Sequence, residues 1–361
     1  MKIGIDVQAS KGRLTGIGVY TKNLIQSLLE KPRNGYEFSL FGREQRGDWN
    51  TLQRLFWENA SLPQLVKQGQ VEILHVPAFA PPLAKPCKVV VTVHDIIGMI
   101  FPNQLGWPSR FYWGKWLPSA VKRADALIAD SENTKKDLIK YLSIPESKIR
   151  VIYPSGHEGF SPRPDSRALK EIHERIGIKE KYFLAVGTLE PRKNLIRVIE
   201  AFAKFVEAKK RSSVYQLVVV GATDFAHGKF LQTLLEKCSV KADHLLLTGY
   251  LEQKDLNLLY SGAEGFVFPS LYEGFGIPIL EAMASGTPVL ISRSSSLPEV
   301  AGDSAFYVDP NDTQSITEGM QALVDDPGLR RELIQKGFER IKRFSWRDTA
   351  SKTFEVYDSL K

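Results

Sequence analysis

The chain has little cysteine, and no apolar run approaches the roughly 20 residues that a membrane span requires. Its two cysteines, Cys87 and Cys238, lie far apart and form no disulfide framework and no metal or redox spacing. Reduced thiols and a cytosolic setting are therefore expected. The opening M-K-I-G-I-D-V runs directly into a strand, so no signal peptide is expected either. No short internal repeat is visible.

What is present is an ordinary globular composition, 43% hydrophobic and 25% charged, in 361 residues. That length suits two domains better than one core. The net charge of +7 is uneven. Residues 1–160 carry 21 Lys and Arg against 14 Asp and Glu, and the remainder is balanced at 27 of each. A basic first half can face an anionic membrane surface, a pyrophosphate-linked acceptor or a nucleic acid; an ordinary soluble surface fits equally well.

The pattern alternates strands and helices, which predicts a parallel doubly wound sheet. Strands are expected at Lys2–Val7, Glu37–Phe41, Val71–His75, Lys88–Val93, Ala126–Ala129 and Ile149–Ile152. Helices are expected at Ile17–Leu29, Leu52–Val66 and Glu132–Tyr141, the last capped by Ser131. Pro- and Gly-rich residues then interrupt the alternation. A second series follows, with strands near Tyr182–Val186, Gln216–Val220, His244–Leu247, Gly265–Phe268, Pro288–Ile291 and Ala305–Val308. Its helices are expected near Asn194–Ala208, Phe230–Cys238, Lys254–Ser261 and Pro278–Ala284. The expected division is a first domain at 1–160, a connection at 161–178, a second domain at 179–345 and a terminal helix from 346.

Four constellations carry chemistry. Gly16-Ile-Gly18-Val-Tyr20 opens the first helix after the first strand, but Thr21 stands where a dinucleotide fingerprint has its third glycine. A glycine turn that admits a pyrophosphate or sugar fits, and so does a tight turn without a ligand. Thr92-Val-His94-Asp95 ends the most buried strand, where ligands of open α/β sheets gather. A lone histidine is commonly a hydrogen-bonded core residue; this position favours contact with a substrate hydroxyl. Gly187-Thr-Leu-Glu190-Pro-Arg192-Lys193-Asn194 sets two cations beside a helix start, an arrangement that suits a departing diphosphate; a solvated charge pair with Glu190 is the alternative.

The fourth constellation is Glu273-Gly274-Phe275-Gly276-Ile277-Pro278, running into a helix that holds Glu281. Glycines and a helix N-terminus suit a phosphate. A carboxylate accepts from two neighbouring hydroxyls, as a sugar diol requires. For Glu281 alone, a place in the helix's first turn is explanation enough. A softer feature is Trp107-Pro-Ser-Arg110-Phe-Tyr-Trp113-Gly-Lys115-Trp116, which can rest in a membrane interface, stack on a sugar or pack as a helix.

With these residues together, the chain resembles the family 4 retaining glycosyltransferases of the GT-B fold, nearly end to end. The most specific part of the likeness is Glu273-x7-Glu281 within E-G-F-G-I-P-I-L-E-A-M-A-S-G-T-P-V, with E-P-R-K-N and Leu297-Pro-Glu299-Val in support. The resemblance implies two Rossmann-like domains facing a cleft, with the second binding a nucleotide-sugar and a final helix returning to the first. It implies that Glu273 contacts the donor sugar and Glu281 the ribose, with backbone around Gly274, Phe275, Gly276 and Ile277 holding phosphate and sugar. Arg192 and Lys193 then bind the diphosphate, Gly16 approaches it, His94 meets the reacting sugar, and Tyr250 and Leu251 lie at the base. One departure is Thr188, where relatives often carry arginine after the glycine equivalent to Gly187.

The function so implied is retaining transfer of a hexose to an acceptor hydroxyl in cell-surface polysaccharide assembly. GDP-mannose is favoured as donor, with UDP- and dTDP-sugars open. The acceptor is a glycan, lipid-linked in one version, and the protein works in the cytoplasm, at the inner membrane face if the basic half binds lipid. No nucleic-acid partner is expected. No D-x-D motif marks the candidate regions, and neither metal nor other cofactor is expected. A nucleotide-sugar epimerase of the same fold and a non-catalytic sugar-nucleotide-binding protein are the rivals, and a PLP-dependent phosphorylase is a more distant one.

Overall fold

A computed structural model describes residues 1–11, 16–30, 33–43, 49–78, 80–102, 106–162, 165–179, 181–209, 215–221 and 244–361. Two compact units make up the chain: Met1–Ser155 with Phe344–Lys361, and Gly156–Arg343. Of the sequence expectations, the helix at Phe230–Cys238 lies outside the described residues. Among those described, no helix is long and apolar enough to cross a membrane.

The first unit is a six-stranded sheet of β1 (Lys2–Asp6), β2 (Glu37–Phe41), β3 (Ile73–Val76), β4 (Lys88–Val93), β5 (Ala126–Ala129) and β6 (Ile149–Val151). Its order is β2-β1-β3-β4-β5-β6, and every pairing is parallel. β4 shows why the run K-V-V-V-T-V has no polar alternation. Val89, Val91 and Val93 enter one core cluster and Val90 enters another, so both faces of the strand are covered. The helix Glu132–Leu142 begins as expected, with the Ser131 hydroxyl accepting from Thr134 N at 2.9 Å.

Helix Trp346–Asp358 belongs to this first unit and packs against helix Gly16–Glu30. Phe354 and Tyr357 are buried in the same cluster as Ile3, Ile5 and Leu24. A buried polar latch adds to that packing: His75 Nδ1 lies 2.6 Å from Tyr357 Oη, and Nε2 lies 2.9 Å from Thr92 Oγ1. Burial, followed by the charge of His94, pushes the His75 pKa down to about 3, so the ring is neutral near pH 7.

The second unit holds β7 (Lys181–Val186), β8 (Tyr215–Val220), β9 (Leu245–Gly249), β10 (Gly265–Phe268), β11 (Val289–Ser292) and β12 (Phe306–Val308). The order is β12-β11-β10-β7-β8-β9, again with every pairing parallel. The chain winds outward from β7 through β8 and β9, then restarts at β10 on the other side. Neighbours β7 and β10 therefore flank the reversal of strand order, where loops diverge and leave a crevice. The loops after these two strands carry Arg192, Lys193 and Glu273.

Several expectations shift. The connection expected at 161–178 contains a helix, Ser166–Ile176, which belongs to the second unit; the units divide at Ser155 and Gly156. Asp165 caps that helix, and Leu169, Ile172 and Ile176 recur at helical spacing, a signal that the prolines and glycines around it obscured. The tail rejoins the first unit from Phe344. The helix expected at Leu52–Val66 is α-helical at Thr51–Phe56 and Leu62–Gln68, with a π-helical turn at Trp57–Ser61 between them. Several strand ends move by one or two residues, as β9 does.

Candidate active site

In the second unit, β7 ends at Val186 and the chain turns through Gly187, whose φ is +149°. A Cβ there would meet the Lys193 side chain at 3.4 Å, an ordinary contact, so the backbone conformation rather than space calls for glycine. Pro191–Lys193 form a single 3₁₀ turn ahead of helix Leu195–Ala208. Asn194, in the left-handed conformation, donates its side-chain amide to Pro269 O at 3.1 Å and to Pro310 O at 2.6 Å. The loop after β7 is thereby tied to the end of β10.

On the β10 side, the loop after Phe268 leads to Glu273. Ser295 Oγ accepts from Glu273 N at 2.8 Å, and Ser296 Oγ donates to the carbonyls of Glu273 at 3.0 Å and Phe275 at 2.8 Å. The segment after β11 thus fixes the glycine loop's backbone. Gly276 takes φ +106°, and helix Ile277–Ala284 starts immediately after it, with Pro278 in its first turn. Gly274 and Phe275 are buried, while Ile277 is half-buried.

The side chains converge. Glu273, only 6% exposed, pairs with both cations: Oε2 lies 2.9 Å from Arg192 Nη1 and Oε1 lies 2.7 Å from Lys193 Nζ. Arg192 Nε also meets Glu190 Oε2 at 2.7 Å, and Glu190 Oε1 accepts from Thr188 Oγ1 at 2.7 Å. Thr188 therefore orients Glu190, which orients the guanidinium. Burial alone raises the Glu190 pKa, but Arg192, Thr188 and Lys193 outweigh it and leave it below the usual value. Lys193 Nζ also sits 4.9 Å from the centre of the Phe268 ring.

Glu281 is the fifth residue of its helix, so it does not lie in the first turn, and no acidic residue does. The bland dipole explanation lapses with that shift. Its carboxyl accepts from Tyr260 Oη at 2.9 Å, and burial pushes its pKa up from 4.5 to about 7. Tyr250 and Leu251 follow β9 at the sheet edge, with Tyr250 exposed and Leu251 half-buried. They lie two strands from β7 and are not in the Arg192–Lys193–Glu273 cluster.

The first unit carries its own constellation. His94, just past β4, has both ring nitrogens engaged: Nδ1 lies 2.5 Å from Asp130 Oδ2 and Nε2 lies 2.8 Å from Pro77 O. A carboxylate and a carbonyl can only accept, so this pairing favours the ring with a proton on both nitrogens. Burial works against that charge, but Asp130, with Asp95 and Pro77 in support, raises the pKa above the ordinary value. Tyr20 packs edge-on to the ring at 4.6 Å. His94, Asp95, Thr92, Ile17 and Trp113 line a small, open concavity. Gly16 is exposed at the start of its helix, with nothing within 4 Å of where a Cβ would stand.

Sequence reasoning did not single out Asp130, Tyr260, Ser295 or Ser296, whereas Glu190 was named as a possible charge partner and does pair with Arg192. Asp130 was within reach, since it follows β5 directly, at the same sheet edge as His94. Tyr260 and the two serines reach the site only through tertiary packing.

The comparisons agree with this architecture. Residues 14–155 match the family model described as "Glycosyltransferase Family 4", and residues 169–340 match "Glycosyl transferases group 1". "O-antigen chain mannosyltransferase B" of Escherichia coli is 30% identical over 274 residues, 76% of this chain and 71% of that one. "Serotype-specific mannosyltransferase WbdA" of Escherichia coli is 31% identical over 280 residues, 76% of this chain but only 34% of that longer protein. Sucrose-phosphate synthase from Thermosynechococcus elongatus has the same fold, with a TM-score of 0.78 at 19% identity, over 100% of this chain and 99% of that one. The chain belongs to the family 4 glycosyltransferases and is a glycosyltransferase of the GT-B fold.

Proposed function

We propose that the protein transfers mannose from a nucleoside-diphosphate sugar, GDP-mannose first among candidates, to a hydroxyl of a growing cell-surface glycan, with retained anomeric configuration. The observation that carries this reading is the pairing of Arg192 and Lys193 with Glu273 at the switch point of the second sheet. Two cations suited to a diphosphate adjoin a carboxylate suited to sugar hydroxyls. The names of the related mannosyltransferases point to mannose.

In this reading Arg192 and Lys193 hold the diphosphate, and the backbone from Gly274 to Ile277 approaches phosphate and sugar. Glu281 accepts from the ribose diol, and Tyr250 and Leu251 flank the base. The bond from the sugar's anomeric carbon to the diphosphate breaks as the bond to the acceptor oxygen forms on the same face. The acceptor proton passes to the departing phosphate oxygen. The two cations bear the charge developed there, so we infer that the reaction needs no divalent ion. The family resemblance assigns Gly16 to the diphosphate and His94 to the reacting sugar, and His94 has the ring N–H groups that a sugar hydroxyl would accept from.

A lipid-linked acceptor at an anionic membrane face fits the first unit's charge, 24 Lys and Arg against 16 Asp and Glu. Two exposed pairs one helical turn apart, Leu52 with Phe56 and Trp107 with Phe111, support the same placement. The π-helical turns that follow these pairs, Trp57–Ser61 and Tyr112–Trp116, meet through Tyr112 Oη, which donates to Glu58 at 2.5 Å. Flotation with vesicles containing anionic lipid should recover the protein, with less recovered after Trp107→Ser and Phe56→Ser; no recovery counts against membrane contact, and equal recovery with neutral vesicles counts against a role for the charge. Transfer itself is tested by incubating GDP-mannose with a glycan acceptor and reading the product's anomeric signal by NMR. An α-mannoside formed only with acceptor present supports the proposal. Epimerised donor, or binding without turnover, points to the rivals.

A further inference from the structure

We infer that Glu273 makes the site discriminate between the sugar-loaded donor and the bare nucleoside diphosphate left after transfer. This rests on the donor reading above and assigns Glu273 a specificity role within it.

The carboxylate spans Arg192 and Lys193, at 2.9 Å and 2.7 Å, and its own backbone is pinned by Ser295 and Ser296. A diphosphate that reaches these cations competes with an anion already on them. To yield its place, the carboxylate must turn away, and it is 6% exposed, so it cannot simply rehydrate. A buried carboxylate that loses its cations without gaining donors is strongly unfavourable.

The two ligands differ in what they return to it. A donor that still bears its sugar brings hydroxyls next to the diphosphate, and a carboxylate accepts from two of them at once. The spent nucleoside diphosphate brings none. The loaded donor therefore takes over the cations while giving Glu273 new partners, whereas the product strands it. Product affinity falls relative to donor affinity, which favours release after transfer.

Calorimetric titration of GDP, GDP-mannose, UDP, UDP-glucose and inorganic pyrophosphate into wild type and Glu273→Gln tests this. The amide removes the competing charge while keeping shape. Affinity for the bare diphosphate that binds should rise about tenfold or more, and the preference for its sugar-loaded form should shrink. Glu273→Asp keeps the charge but cannot span both cations; it should shift in the same direction by less, and it serves if the amide variant does not fold. A merely structural role would weaken both ligands together. Binding to wild type without the gain for bare diphosphate overturns this inference alone. Absence of binding by all five probes to wild type and variants overturns it together with the donor reading.

Discussion

His94 is held between Asp130 Oδ2, 2.5 Å from Nδ1, and the Pro77 carbonyl, 2.8 Å from Nε2. A carboxylate and a carbonyl accept, so the geometry favours the doubly protonated ring. The raised pKa means that this pairing stabilises the fold fully below the ordinary imidazole value and loses its effect as pH rises through the folded value. Asp130→Asn removes the main opposing charge and leaves burial in control. The His94 pKa should then drop below its wild-type value in an NMR titration of the ring. If the charged ring serves transfer, the pH above which turnover declines should move to lower pH in this variant.

Arg192 and Lys193 are expected to act on the charge that develops as the diphosphate leaves. Removal of one such group costs about 10²–10³ in kcat in comparable sites. Arg192→Ala and Lys193→Ala should each lower kcat more than donor affinity, as read from steady-state rates beside direct binding. Unchanged turnover contradicts the assignment. Glu190→Gln, which loosens the guanidinium without removing it, should give a smaller loss of the same kind.

Glu281 sets a pH dependence of opposite character to an ordinary surface carboxylate. Its folded pKa of about 7 exceeds the ordinary 4.5, so the folded state holds a proton that the unfolded state has lost between those values. Stability therefore declines as pH rises from about 4.5 to about 7. Glu281→Gln still accepts from Tyr260 and has no such slope. In urea unfolding it should match wild type at pH 4.5 and exceed it by about 3 kcal/mol at pH 8, since a tenfold change in proton binding is worth roughly 1.4 kcal/mol. If the carboxylate holds the ribose, the same variant binds donor more weakly.

The terminal helix can be tested separately. Phe354→Ala should cost about 3–5 kcal/mol through the cavity it leaves. Tyr357→Phe leaves His75 Nδ1 without its partner and should cost about 1–3 kcal/mol. Chemical denaturation of both variants measures this. A cost near zero for Phe354→Ala would mean that the helix is not docked as described.

The architecture was legible because its signals are local. The β-branched run Lys88–Val93 and the stretch G-F-V-F at Gly265–Phe268 became strands with the bounds read from sequence. The alternation of strands with helices gave two parallel sheets, and the glycine loop with Glu273 stood at a strand's carboxyl end as anticipated. Partners brought in by packing were not legible. Asp130 is 36 positions from His94, and Tyr260 is 21 from Glu281. A helix start one residue earlier than expected removed the dipole explanation for Glu281. Thr188, which as a sequence departure looked like a lost cation, is hydrogen-bonded to the acid that orients Arg192.

Whether the Arg192–Lys193–Glu273 site binds a nucleotide-sugar decides most of what is proposed above. Thermal unfolding of wild type with UDP, GDP, dTDP and ADP, each with and without its sugar, measures this. A ligand at 100 times its dissociation constant adds about 2.7 kcal/mol of stability, several degrees in Tm. A concentration-dependent rise is expected with one base, GDP foremost, and it should be largely lost in Lys193→Ala. No rise with any nucleotide or nucleotide-sugar, or an equal rise in Lys193→Ala, would contradict the donor site.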